Sequence, residues 1–256
     1  MKQKLFNIKL DITDYKGFFS ELDRHFLSDK THTIFFINAH CFNIAQTHQE
    51  YRKAINESDL LLNDGIGISI ACSIAGIKPL ENLNGTDLIP GIIKEAAIKG
   101  VGVYLLGGED GIADNAARTF NNQFPELKIS GTASGYFSES QEQEVIEKIN
   151  TSGAGLLILG MGVPRQELWA TKNKDHLIKV KIIVAGGAIL DFTAGKVKRA
   201  PIWLRKIRFE WLYRLYQEPK RMWKRYIIGN LLFFYYIIKH KISPGNKQKP
   251  VVFLKQ

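Results

Sequence analysis

The sequence predicts an α/β fold: a Rossmann-like, mostly parallel sheet flanked by helices, followed by a basic helical appendage. Three observations predict it. Short apolar runs alternate with helix-length amphipathic stretches, the spacing of βαβ units. Several runs are apolar at consecutive positions, as strands covered by helices on both faces must be. Glycine-rich loops follow the runs, where a backbone must approach a ligand closely or adopt positive φ.

An N-terminal strand (5–10) and helix (14–27) add an edge to the sheet. Strands follow at 33–38, 59–63, 101–106, 127–131, 156–160 and 181–185. Helices fall between them at 41–56, 66–75, 86–99, 111–123, 139–150 and 164–175. Two helices close the chain at 203–216 and 220–241, with Pro219 placed where the second would start. The expected division is an α/β body over 1–195 and an appendage over 196–256.

Of the 256 residues, 45% are hydrophobic, enough apolar surface to offset the ordering entropy and exclude disorder. Cys41 and Cys72 form no CxxC pair, so neither a disulfide framework nor a zinc cluster is expected. The first 13 residues lack the apolar core of a signal peptide, which points to the cytoplasm. Residues 196–256 hold 16 Lys and Arg against Glu210 and Glu218, a net +14, whereas residues 1–195 are net −4. That asymmetry calls for a polyanionic surface, nucleic acid or anionic lipid.

The apolar run 226–238 would make a helix about 20 Å long, too short for a hydrocarbon core of about 30 Å. Trp203, Trp211, Trp223 and several tyrosines interleave with cations, the composition of a helix lying in a membrane interface. Five or six cations at ~1 kcal/mol each contribute about 5 kcal/mol to peripheral attachment. Nucleic acid offers no use for the cluster Ile227, Ile228, Leu231, Leu232, Ile237 and Ile238, so lipid is the better partner. Packing against the body or a second copy is the other reading of this run, and a homo-oligomer stays open.

Ligands in such sheets collect beyond the carboxyl ends of the strands. Asp64 stands there, before Gly65, as a turn residue, a helix N-cap, or a carboxylate able to take a proton from an attacking hydroxyl. Asn38 occupies the equivalent loop of the preceding strand. Gly160-x-Gly162 resembles a dinucleotide fingerprint, but Arg165 stands where the third glycine belongs. Gln166 and Glu167 fall in the helical turn that follows, where Glu167 complements the helix dipole. Arg165 suits a phosphate or a carboxylate, and Asp191 suits ribose hydroxyls or a strand end. The histidines are scattered and no Asp-x-Asp occurs, so no metal site is expected.

The ordered set of segments resembles the WecG/TagA/CpsF glycosyltransferase family (glycosyltransferase family 26). It comprises Asn38-Ala39-His40, Asn63-Asp64-Gly65-Ile66-Gly67, Gly85-Thr86-Asp87-Leu88, Leu105-Leu106-Gly107-Gly108 and Gly135-Tyr136-Phe137. Gly160-Met161-Gly162-Val163-Pro164-Arg165-Gln166-Glu167, Arg199-Ala200-Pro201 and Glu210-Trp211-Leu212-Tyr213-Arg214-Leu215 complete it. The resemblance implies an inverting, metal-independent enzyme of bacterial cell-wall or surface polysaccharide synthesis, needing no cofactor. It would pass a sugar from a UDP-sugar to a polyprenyl-diphosphate-linked sugar at the inner face of the cell membrane. It further implies Asp64 as base, with Asn38 and Gln166 beside it, and Arg214, Arg221 and Arg225 on the acceptor's diphosphate. Gly107, Gly108, Tyr136, Gly160, Gly162, Arg165 and Asp191 are the expected donor-binding residues.

Two positions depart from the family pattern: Phe36 where many members have Thr, and Asn82 after Glu81 where many have Arg. The donor sugar is therefore N-acetylmannosamine, its uronate, or glucose. Two rivals stand beside this reading. One is an NAD-dependent Rossmann oxidoreductase built on the Gly160 loop, and the other a non-catalytic polyanion-binding protein built on the tail.

Overall fold

The structure, a computed structural model, describes residues 2–78, 81–206 and 209–242. Strands β1 (Lys2–Leu5) and β2 (Ile8–Asp11) pair antiparallel. Helix α1 (Tyr15–Leu27) leads into β3 (His32–Ile37), and α2 (Ala39–Thr47) and α3 (Gln49–Asn56) precede β4 (Leu60–Asn63). Then follow α4 (Ile66–Ile74), α5 (Gly85–Ile98), β5 (Val103–Gly107), α6 (Ile112–Gln123) and β6 (Ile129–Ala133). Next come α7 (Glu142–Ser152), β7 (Leu156–Gly160), α8 (Arg165–Asn173), β8 (Ile182–Ala185) and the short α9 (Ile189–Thr193). The appendage comprises α10 (Ile202–Lys206), α11 (Glu210–Gln217), α12 (Pro219–Trp223), a π-helical turn (Lys224–Ile228) and α13 (Gly229–Ile242).

Six strands form one sheet in the order β4-β3-β8-β7-β5-β6, with parallel pairing throughout. Alternate side chains feed two cores. Phe35, Ile37, Leu61, Leu157, Leu159 and Ile183 meet residues of α2, α3, α7 and α8 on one face. Ile34, Phe36, Leu62, Leu156, Ile158 and Val184 meet α1, α5 and α6 on the other. This two-sided burial is why the strands read as apolar at consecutive positions. The chain steps outward from β3 to β4, then crosses the sheet to β5. The loops after β3 and β4 therefore face those after β5, β7 and β8 across a crevice.

Three expectations change. The N-terminal segment does not extend the sheet; β1 and β2 pair only with each other. The turn at Phe6, with φ of 56°, folds the strand back, and the Asp11 carboxylate accepts from the Leu61 N–H at 2.9 Å. A side chain thus takes a bond on β4 that a neighbouring strand would use. The single helix expected over 41–56 is two helices, broken at His48, whose Nδ1 accepts from the Tyr51 N–H at 3.1 Å and starts α3. In the appendage, the helix expected over 203–216 is seen as α10 and α11, with residues 207–208 outside those described. The second begins at Pro219 as expected. The expected appendage beyond 242 lies outside the described residues.

The appendage shares the body's core. Phe233 and Ile237 of α13 are buried, Phe233 meets Phe42 of α2 edge-on at 5.3 Å, and Asn43 donates to the Gly229 carbonyl at 2.7 Å. Burying two such side chains contributes roughly 2 kcal/mol each. The opposite side of α13, including Leu231 and Ile238, is exposed. Among the described residues no helix is long and apolar enough to cross a membrane.

Candidate active site

Sheet register builds the first half of the site. Ile37 pairs with Asn63, and the Asp64 N–H donates to the Ile37 carbonyl at 2.8 Å, so Asn38 and Asp64 leave adjacent strand ends side by side. Asn38 caps α2: its Oδ1 accepts from the His40 and Cys41 N–H groups, both at 3.1 Å. Its amide nitrogen is thereby turned outward, and its side chain hydrogen-bonds Asp64. Burial pushes the Asp64 carboxyl up to about 6, against the Asn38 bond and the Arg225 charge, with Glu210 and Asp87 adding to the rise.

Asp64 does not cap the helix after it. The N-cap of α4 is Gly65, with φ of 90°, a conformation that favours glycine, and no side chain caps that end. The Gly65 N–H instead donates to Asn82 Oδ1 at 2.7 Å. Asn82, one of the two departures from the family pattern, thus holds the turn that presents Asp64. The other departure, Phe36, lies on the cleft wall.

The facing wall is glycine-built. A Cβ on Gly107 would lie 2.5 Å from the Gly160 backbone, and one on Gly135 would lie 3.0 Å from the Gly107 Cα. These contacts bring β5, β7 and the loop after β6 together. Gly107 is used in that packing and does not line the cleft, unlike every other expected site residue. Gly108, Tyr136, Gly160, Gly162, Arg165 and Asp191 line it with Asn38, Asp64 and Gln166, around a volume of about 380 Å³. Arg165 stacks on Phe137 at 4.8 Å and donates to its carbonyl at 3.0 Å, fixing the loop that carries Tyr136.

Gln166 is buried and nearly committed. Its Oε1 accepts from the Gly187 N–H at 3.1 Å and its Nε2 donates to Glu167 at 2.8 Å, leaving one N–H for the cleft. Glu167 falls in the first turn of α8 as expected, but is only 1% exposed, and burial pushes its carboxyl up to about 7.

The appendage closes the cleft with Arg214, Arg221 and Arg225. Arg214 lies over the Phe192 ring at 5.1 Å. Glu218 reaches Arg221 at 2.8 Å and Arg214 at 3.7 Å, so one carboxylate sits between two of the three guanidiniums. Arg225 projects from the π-helical turn, an irregularity that often accompanies functional positions. Burial, with the Arg225 charge, pushes His40 down to about 4, so it is a neutral wall at pH 7. For His40 the sequence shows only its place in the Asn38-Ala39-His40 segment, and it gives no sign of the Lys196–Glu109 pair at 3.0 Å, whose members both line the cleft. Those two residues lie far apart in the chain with no shared pattern. Among the described residues no three His, Cys, Asp or Glu side chains gather as a metal site.

The arrangement offers a half-buried carboxylate, a glycine-walled crevice and three converging guanidiniums. Comparison with known proteins gives the same direction. Residues 3–247 match the glycosyl transferase WecG/TagA/CpsF family. An N-acetylglucosaminyldiphosphoundecaprenol N-acetyl-beta-D-mannosaminyltransferase of Bacillus spizizenii is 30% identical over 182 residues, covering 71% of this chain and 69% of that one. A protein of the same name from Staphylococcus aureus is 28% identical over 247 residues, covering 94% and 93%. A match of this extent favours neither the oxidoreductase nor the non-catalytic reading.

Proposed function

The chain belongs to the WecG/TagA/CpsF family and is a glycosyltransferase; from that premise we propose its substrates, its mechanism and the roles of its residues. The donor is a UDP-sugar, in keeping with the transferase class, and the acceptor a sugar carried on a polyprenyl diphosphate, as the names of the relatives suggest. The observation that carries the reading is the pairing, across one cleft, of Asp64 beside Asn38 with Arg214, Arg221 and Arg225.

Transfer is a single displacement with inversion. The acceptor hydroxyl oxygen bonds to the anomeric carbon as the bond from that carbon to the UDP oxygen breaks. UDP leaves with the electron pair, and the hydroxyl proton passes to Asp64. A carboxyl of pKa about 6 is ionised at pH 7 yet more basic than an exposed aspartate, which suits a general base. Asn38 orients it. Guanidiniums bind diphosphate oxygens bidentately, and three of them suit the acceptor's diphosphate. Without a metal, charge on departing UDP is met by N–H groups of the glycine loops and by Arg165.

Attachment to an anionic membrane follows from what the appendage leaves uncovered. Trp203, Tyr216, Leu231 and Ile238 are exposed beside its cations, which supports a peripheral seat on the inner face of the membrane, where a lipid-borne acceptor would be reached. The donor is N-acetylmannosamine, its uronate or glucose. Incubating the full chain with each UDP-sugar and a short-chain polyprenyl-diphosphate-linked N-acetylglucosamine, with product read by mass, tests the reading. One added sugar residue, of the mass of the donor's glycosyl group, supports it. No product from any donor contradicts it.

A further inference from the structure

Three family segments that lie far apart in the chain meet through charge. Arg199 Nη2 lies 2.9 Å from Asp87 Oδ1, and its Nε donates to Glu210 Oε1 at 3.3 Å. Arg205 approaches the same Asp87 oxygen at 3.8 Å. Asp87 is aimed by α5, since Asn84 donates to its second oxygen at 2.8 Å. The Arg199 side chain is 25% exposed and Glu210 32%, whereas Asp87 is 54% exposed, so the bridge between body and appendage is half-buried on its Glu210 arm and open to solvent on its Asp87 arm.

Both ends of the bridge adjoin the cleft. Gly85 and Thr86, next to Asp87, line it. Glu210 opens α11, and Arg214 lies one turn further along the same helical face. Arg214 therefore follows wherever Glu210 is held.

We propose that Asp87, Arg199, Glu210 and Arg205 form an ionic clasp holding the appendage against the sheet edge, with Arg199 the positioning residue that sets Arg214 for the acceptor. This rests on the proposed function for the identity of the acceptor, though the clasp itself does not. Two acids and two guanidiniums balance, so removing Arg199 leaves Asp87 with Arg205 alone and takes from Glu210 its bridge to Arg199. Asp64 faces the same groups, with Asp87 from α5 and Glu210 from α11 on the acidic side and Arg225 opposite; His40 from α2 is neutral. Uncovering the two acids makes Asp64 harder to ionise.

The test uses full-length Arg199→Gln and Arg199→Lys with the short-chain acceptor, together with amide exchange over α11. The clasp predicts that Arg199→Gln raises the acceptor KM several-fold, up to the roughly tenfold effect of losing Arg214 itself, while the donor KM stays within about twofold. It also predicts faster exchange in α11, an acid limb of the pH–rate profile moved to higher pH, and substantial rescue by Arg199→Lys. An unchanged acceptor KM, or unchanged exchange in α11, overturns it. Should Arg199→Gln fail to fold, Glu210→Gln removes one arm and is read in the same way. Exchange needs no substrate, so if the wild-type chain transfers no sugar, the function fails while α11 still decides the clasp.

Discussion

The two sides of the cleft are held by different means. On the sheet side, Asp64 is fixed by parallel register, by the Asn38 side chain and by the Asn82 bond to the Gly65 N–H. On the appendage side, no strand sets the arginines. They depend on Phe233 and Ile237 in the core, on the Arg199 bridge and on the shared Glu218. The difference teaches that the two sides are positioned by separate means, while the appendage charges Arg225 and Glu210 still bear on the Asp64 carboxyl, so variants on one side should leave the other's binding or chemistry measurable.

Asp64→Asn breaks the sheet side most sharply. It should lower transfer about a hundredfold or more with UDP affinity unchanged, checked by steady-state rates and UDP titration. An unchanged rate removes Asp64 from the chemistry.

Glu167→Gln sharpens the account of burial on that same side. Glu167 has a folded pKa raised to about 7, so the stability it contributes is present at low pH and lost as pH rises through 7. Gln stays neutral and keeps the bond from Gln166. The variant should gain on the order of 2 kcal/mol over wild type at pH 8 and nothing at pH 4, read by denaturant titration.

Arg214→Gln breaks the appendage side. The acceptor KM should rise about tenfold, roughly 1.4 kcal/mol, with the donor KM unchanged. Equal loss for both substrates would show that the two sides are not separable.

Leu231→Ser has the smallest expected effect. Leu231 is 71% exposed, so folding is untouched, while co-sedimentation with anionic vesicles should fall several-fold, about 1 kcal/mol. Unaltered sedimentation would direct the exposed face of α13 to another partner.

The same division marks what was legible in the sequence. Strands buried on both faces announce themselves, so five of the six sheet strands fall within two residues of the expected bounds at each end, and β7 matches them outright. Asp64 and Asn38 could be placed because strand ends are where such sheets bind ligands. The split at His48 was not legible, because a histidine rarely starts a helix and only the Tyr51 N–H makes it do so. The hairpin at the N-terminus was missed because a side chain, Asp11, satisfies β4 in place of a strand. Gly107 looked like a ligand-facing glycine, but its missing Cβ makes room for Gly160. The clasp joins residues more than a hundred positions apart, and no local pattern signals such a contact.

The central claim, that Asp64 removes the acceptor's proton, is met most directly by the single-turnover rate from pH 5 to 8 with both substrates saturating. The account predicts a rate that falls as pH drops through about 6, the value burial gives Asp64, in wild type and in Glu167→Gln alike. The residual rate of Asp64→Asn should lack that fall. A wild-type rate that is flat across the range, or a fall that disappears with Glu167→Gln, would contradict it.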